Sequence, residues 1–88
     1  MRVELSQAFE KAAGVPCLDI SLPGPVSLRE LLELLARERA FFAKYLSYQD
    51  DALLGAHLSV FCAGRLLKLD DAVDDGDTVK LFLPVTGG

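Results

Sequence analysis

The stretch Pro25-Val26-Ser27-Leu28-Arg29-Glu30-Leu31-Leu32-Glu33-Leu34-Leu35-Ala36-Arg37 decides the fold. Ser27 followed three residues later by Glu30 is the capping-box spacing, in which each side chain satisfies a backbone N–H of the first helical turn. Val26 and Leu31 hold the two positions of a hydrophobic staple, so the helix starts at Leu28. Leu28, Leu31, Leu32 and Leu35 follow the i, i+3, i+4, i+7 rule and make one apolar stripe. Arg29, Glu30, Glu33 and Arg37 take the opposite side, with Glu33 and Arg37 spaced as a favourable i, i+4 pair. Such a stripe needs a sheet to cover.

The flanking segments supply one. Arg2 to Phe9 alternates Val3, Leu5, Gln7 and Phe9 with its intervening residues and reads as a first strand, closed by a turn at Ala12-Ala13-Gly14. Cys17 to Leu22 puts Leu18, Ile20 and Leu22 on one face and stops at Pro23-Gly24-Pro25, so the two segments read as a hairpin. Downstream of the helix, His57 to Ala63 reads as a strand with Leu58, Val60 and Cys62 on one face and Ser59 and Phe61 on the other. A short strand over Leu66 to Leu69 and a turn at Asp74-Asp75-Gly76-Asp77 follow. Thr78 to Pro84 is the last strand, with Val79, Leu81 and Leu83 on one face and Lys80 and Phe82 on the other. Between Arg39 and Asp51 two readings stand: Phe41, Phe42, Tyr45 and Leu46 continue the helix, or they form a separate short one before the polar Ser47-Tyr48-Gln49-Asp50-Asp51. The economical architecture is α+β, a mixed sheet of four to five strands with one main helix packed across one face, as a single domain over residues 1–88.

Composition narrows the function. A chain of 88 residues hides only about 60 to 65% of the surface its unfolded form exposes, which leaves little room for a deep active site. The net charge is −4 and the nine Lys and Arg are scattered, so no basic cluster awaits a phosphate backbone and nucleic acid is not an expected partner. The longest charge-free run, Ala52 to Gly64, carries His57 and Ser59 and falls short of a membrane span. Arg2, Glu4, Glu10 and Lys11 interrupt any apolar signal region, so the expected location is the cytoplasm. Two distant cysteines, Cys17 and Cys62, and one histidine, His57, do not make a zinc site. A Cys62 nucleophile served by His57 is conceivable, but a small buried thiol on a strand is the commoner role. Nothing in the inventory amounts to catalytic machinery.

The remaining feature is the end, Pro84-Val85-Thr86-Gly87-Gly88, set directly after a strand. The plain reading is a frayed terminus. The chemical reading is a carboxylate on a slender stalk: without Cβ atoms, Gly87 and Gly88 can approach another protein's surface closely. An ATP-dependent partner could convert such a carboxylate to an acyl adenylate, and sulfur could then replace AMP to give a thiocarboxylate.

The run from Val60 to Gly88, with Asp75-Gly76-Asp77 before the last strand and the Gly-Gly end, resembles the small subunit of molybdopterin synthase, in the β-grasp sulfur-carrier group related to ubiquitin. Leu18-Asp19-Ile20, Pro23-Gly24 and Val26 to Leu32 are similar to that group's second strand and helix start. The chain departs from the pattern at Ser6 to Lys11, where a Phe-Ala pair and Arg-Glu are usual. It departs again at Ala63-Gly64, where Asn is usual, and at Leu83-Pro84 in place of a double proline. The resemblance implies that Gly88 carries the adenylated and then thiolated carboxylate. It implies that Gly87, Thr86, Val85 and Pro84 enter partner sites, and that Phe82 packs on partners. Phe61, outward on a neighbouring strand, would complete an apolar patch with Phe82; the alternative is that both lie under the loop holding Tyr45 and Tyr48. The implied partners are an E1-like adenylating enzyme and the large catalytic subunit of molybdopterin synthase or another sulfur acceptor. No bound cofactor is expected, ATP being used by the activating enzyme, and the chain alone would not be an enzyme. Carriers for thiamine, tRNA thiolation or cysteine synthesis share the pattern. A ubiquitin-like modifier and a plain interaction domain are the other two readings.

Overall fold

A computed structural model describes residues 1–83. Five strands form one mixed sheet in the order β2-β1-β7-β4-β5: β1 is Arg2–Leu5, β2 Cys17–Asp19, β4 Ser59–Cys62, β5 Arg65–Leu66 and β7 Thr78–Phe82. A separate two-stranded ribbon joins β3 (Val26–Ser27) to β6 (Ala72–Val73). β7 lies in the middle, parallel to β1 and antiparallel to β4, with Val3 opposite Val79 and Val60 opposite Leu81. The expected α+β layer architecture is present. The inner faces of these strands supply Val3, Leu5, Leu18, Val60, Val79 and Leu81 to one buried cluster.

The helix anticipated from the capping box is α2, Leu28–Glu38, and both reciprocal hydrogen bonds form. The Glu30 N–H donates to Ser27 Oγ at 3.1 Å, and the Ser27 N–H donates to Glu30 Oε1 at 3.4 Å. Two further donors of the first turn are satisfied from outside: the Leu28 N–H donates to the Asp71 carbonyl at 2.9 Å and the Arg29 N–H to the Leu69 carbonyl at 3.1 Å. The cap therefore locks the helix to the 69–71 loop as well as starting it. Leu28, Leu31, Leu32 and Leu35 are all buried, and truncating any one to alanine costs roughly 2–5 kcal/mol.

The structure corrects the first third. The strand expected over Arg2 to Phe9 ends at Leu5. Residues Gln7–Ala13 form a helix, α1, closed by Gly14 at φ 80°, whose N–H donates to the Glu10 carbonyl. The left-handed cap is a conformation that glycine adopts without penalty. Phe9 satisfies both periodicities, and the contest is settled by what it meets: in α1 it packs against Phe41, Phe42 and Tyr45, with ring centroids 5.9–6.1 Å away. The expected hairpin is thus an antiparallel β1–β2 pair joined through a helix.

Between Arg39 and Asp51 a separate element forms, a 3-10 helix over Ala40–Ser47, followed by α3, Asp51–Gly55, capped by Asp50. The other strands are shorter than expected. β4 is Ser59–Cys62 rather than His57 to Ala63, β5 is Arg65–Leu66 rather than Leu66 to Leu69, and β7 ends at Phe82. Leu83, placed inside by alternation, is 46% exposed because the strand has already ended; Pro84 lies outside the described residues.

Candidate functional site

The site is built at the end of β7. Alternation along Thr78–Phe82 buries Val79 and Leu81 and sends Lys80 and Phe82 to the outer face. Register then sets their neighbours: Phe61 of β4 stands opposite Lys80, and Leu66 of β5 stands opposite Phe61. The Phe61 and Phe82 rings meet edge to face, centroids 5.8 Å apart at 77°, an arrangement in which the positive rim of one ring meets the negative face of the other. Phe82 is 41% exposed and Leu66 53%. The anticipated Phe61–Phe82 pair therefore forms as an outward patch. Tyr45 is buried on the other side of the fold, against Phe9 and Phe42.

Leu66 extends the patch, and sequence reading did not assign it there. The signal for Leu66 was available in the turn. Cys62 pairs with Arg65, so Ala63 and Gly64 form a two-residue loop with φ 52° and 77°, the backbone of a type I′ hairpin. A two-residue loop fixes the register and puts Leu66 across from Phe61.

The same outer face carries charge towards β1. Arg2 Nε lies 3.3 Å from Glu4 Oε2 and Lys80 Nζ 3.8 Å from Glu4 Oε1. All three are substantially exposed, so each pair is worth at most about 1 kcal/mol. The surface is thus divided: an apolar half around Phe82, Phe61 and Leu66, and a charged half towards β1 in which Glu4 faces both Arg2 and Lys80.

Cys62 and His57 do not come together. His57 stacks on Tyr48, ring centroids 4.4 Å apart at 8°, and among the described residues no hydrogen bond joins it to Cys62. Desolvation, with the Asp77 carboxylate adding to it against the opposing effect of Arg65, pushes the Cys62 thiol up from its ordinary value and disfavours the thiolate. Among the described residues no group of three His, Cys, Asp or Glu could hold a metal ion, and no helix is long and apolar enough to cross a membrane. Pro84, Val85, Thr86, Gly87 and Gly88 lie outside the described residues.

A mixed five-stranded sheet with a helix across one face and the C-terminal strand at its centre is the β-grasp of ubiquitin-like proteins, and solved structures share it. SAMP1 from Haloferax volcanii superposes with a TM-score of 0.77 at 26% identity, over 100% of this chain and 98% of that one. A Pyrococcus furiosus protein, provisionally assigned as molybdopterin converting factor, subunit 1, gives 0.75 at 28% identity over 96% and 95%. A comparison with curated proteins finds no match. The ThiS family model matches residues 6–88, and the chain belongs to that family. Membership places it among the sulfur carriers and ubiquitin-like modifiers of this fold.

Proposed function

We propose that this chain is a sulfur carrier that works through its C-terminal glycine, as the small subunit of a molybdopterin-synthase-type complex. A Gly88 carboxylate oxygen attacks the α-phosphorus of ATP on an E1-like enzyme and pyrophosphate leaves. A sulfide equivalent then attacks the acyl carbon, and AMP departs with the electron pair of the broken C–O bond. The resulting thiocarboxylate is a soft nucleophile that a larger acceptor subunit consumes. The carrier supplies the reacting group and a docking surface, and the partners supply the catalysis.

The observation that carries this reading is the outward Phe61–Phe82 pair, widened by Leu66, beside the strand that leads into Gly87-Gly88. Exposed contiguous apolar area on a small acidic protein marks an interface. Gly88 follows Phe82 by six residues in the sequence, at most about 20 Å of extended chain, which supports a partner docked there also engaging the terminus. The likeness to molybdopterin converting factor, subunit 1, supports the particular pathway.

The intact mass of the protein from its own cells, with the C-terminal peptide fragmented, tests the chemistry. Replacement of one oxygen by sulfur at Gly88 is the expected result. The likeness to SAMP1, a small archaeal modifier protein, favours a second reading, conjugation of Gly88 to protein lysines. A ladder of conjugates that vanishes when Gly88 is deleted would establish it. A Gly88 left unmodified in the presence of ATP, a sulfur source and the adenylating enzyme would overturn both.

A further inference from the structure

The apolar patch does not stop at the edge of the sheet. Behind β5, between α3 and the β4–β5 hairpin, lies a hollow of about 230 Å³ lined by Leu54, Leu58, Val60, Leu66 and Leu67, with Gly55 in its wall. Leu54, Leu58, Val60 and Leu67 are buried, so the floor is the protein core itself, whereas Leu66 is more than half exposed and forms the lip. Leu66 is also the residue opposite Phe61, so hollow and patch are one continuous apolar surface that turns the corner of the sheet. Lys68 and Asp51 stand on the rim, one Asp51 carboxylate oxygen accepting the Leu69 N–H at 2.7 Å, and Arg65 precedes Leu66 on the edge strand. Among the described residues neither cation is held in an ion pair, unlike Arg2, Arg29 and Lys80.

We propose that this hollow receives one aliphatic or thioether side chain from the adenylating enzyme, on a segment whose neighbouring carboxylate pairs with Lys68 or Arg65. The inference rests on the carrier reading above and adds to it the chemistry by which the activating partner is recognised. A preformed, largely apolar pocket beside an aromatic patch is where an interface concentrates its energy, because the anchor loses water completely while the surrounding contacts only exclude it. Lys68 and Arg65 outnumber Asp51 at the lip and favour an acidic segment, an effect that salt weakens.

Gly55 makes the idea testable without disturbing the core. A Cβ built there meets nothing within 4 Å, so Gly55→Ala introduces no clash, while Gly55→Leu puts a bulky side chain at the wall of the hollow. The measurements are the affinity of the purified adenylating enzyme for each variant, ATP–pyrophosphate exchange with each, and methyl NMR spectra of the carrier on addition of the enzyme. Gly55→Leu is expected to weaken binding at least about tenfold and Gly55→Ala to leave it unchanged. Lys68→Glu is expected to weaken it severalfold, with a smaller salt dependence. Enzyme addition should shift the Leu54, Leu58 and Leu67 methyls. If Gly55→Leu, shown folded by its unchanged circular dichroism, binds as wild type does, the anchor is wrong and the carrier reading stands. If wild type neither binds nor supports exchange, the carrier reading itself falls. Concentration-dependent self-association abolished by Gly55→Leu would assign the hollow to a second copy and overturn the proposal.

Discussion

Two sets of aromatic rings in this protein share a geometry and differ in everything that follows from it. Phe9, Phe41, Phe42 and Tyr45 meet at centroid separations of 5.2–6.4 Å, with Phe9, Phe42 and Tyr45 almost wholly buried between α1 and the 3-10 helix. Burial also pushes the Tyr45 phenol up from its ordinary value, helped by Tyr48. Phe61 and Phe82 meet at 5.8 Å, within that range, yet Phe82 keeps 41% of its surface in water. Ring-to-ring contact is worth only about 0.5–1.5 kcal/mol beyond burial in either place. The inner rings hold the fold together because burial adds to that contact, and the outer rings keep unburied area that a partner can still take.

The sharpest way to break the comparison is to truncate one ring from each set. Phe42→Ala should lower unfolding free energy by about 3–5 kcal/mol, a large share of what so small a domain possesses, as read by denaturant titration. Phe82→Asp should change stability by no more than about 1 kcal/mol while weakening partner binding at least about thirtyfold, measured by titration calorimetry. Unfolding of the Phe82 variant would move this ring into the core set. A third change leaves both sets of rings intact. Ala63 holds φ 52°, which costs an alanine roughly 1–2 kcal/mol and an asparagine much less. Ala63→Asn should therefore raise the melting temperature, by a gain of about 0.5–1 kcal/mol, with partner affinity unchanged.

The smallest effect concerns neither ring set. The Asp75 carboxylate accepts the Leu22 N–H at 2.9 Å and faces the Met1 ammonium at 3.2 Å, and these two contacts hold its pKa below the usual carboxylate range. A lowered native pKa means a contribution present above the unfolded value of about 4 and lost as pH falls through the native one. Stability of Asp75→Asn measured from pH 7 downward should approach that of wild type below about pH 4. A constant gap across that range would refute the linkage.

What could be read from the sequence follows from how local each signal is. The capping box and leucine stripe of α2 lie within nine residues, Ser27 to Leu35, and needed no tertiary information. β4 and β7 alternate cleanly, so the outward placing of Phe61 and Phe82 was legible too. α1 was not, because Ser6, its N-cap, makes no side-chain capping bond and Phe9 fits either period. The β3–β6 ribbon is two residues a side and exists because Val26 meets Val73 across the chain, which no periodicity reports. Leu83 misled for the opposite reason, since alternation carries no information on where pairing stops. Much of the acidic charge also had a hidden use. Asp51, Asp71 and Asp77 accept backbone N–H groups of Leu69, Lys68 and Asp74 at 2.7–2.8 Å, fastening the loops that lead into β7.

The central position of β7 has a mechanical consequence. Tension applied to Leu83 along the axis of this strand has a defined path through the sheet. The load falls on four paired positions with β1 and four with β4 at once, sliding them lengthwise past their neighbours instead of peeling them from one end. Lengthwise sliding breaks many hydrogen bonds together, so traction at the terminus is resisted by the middle of the sheet.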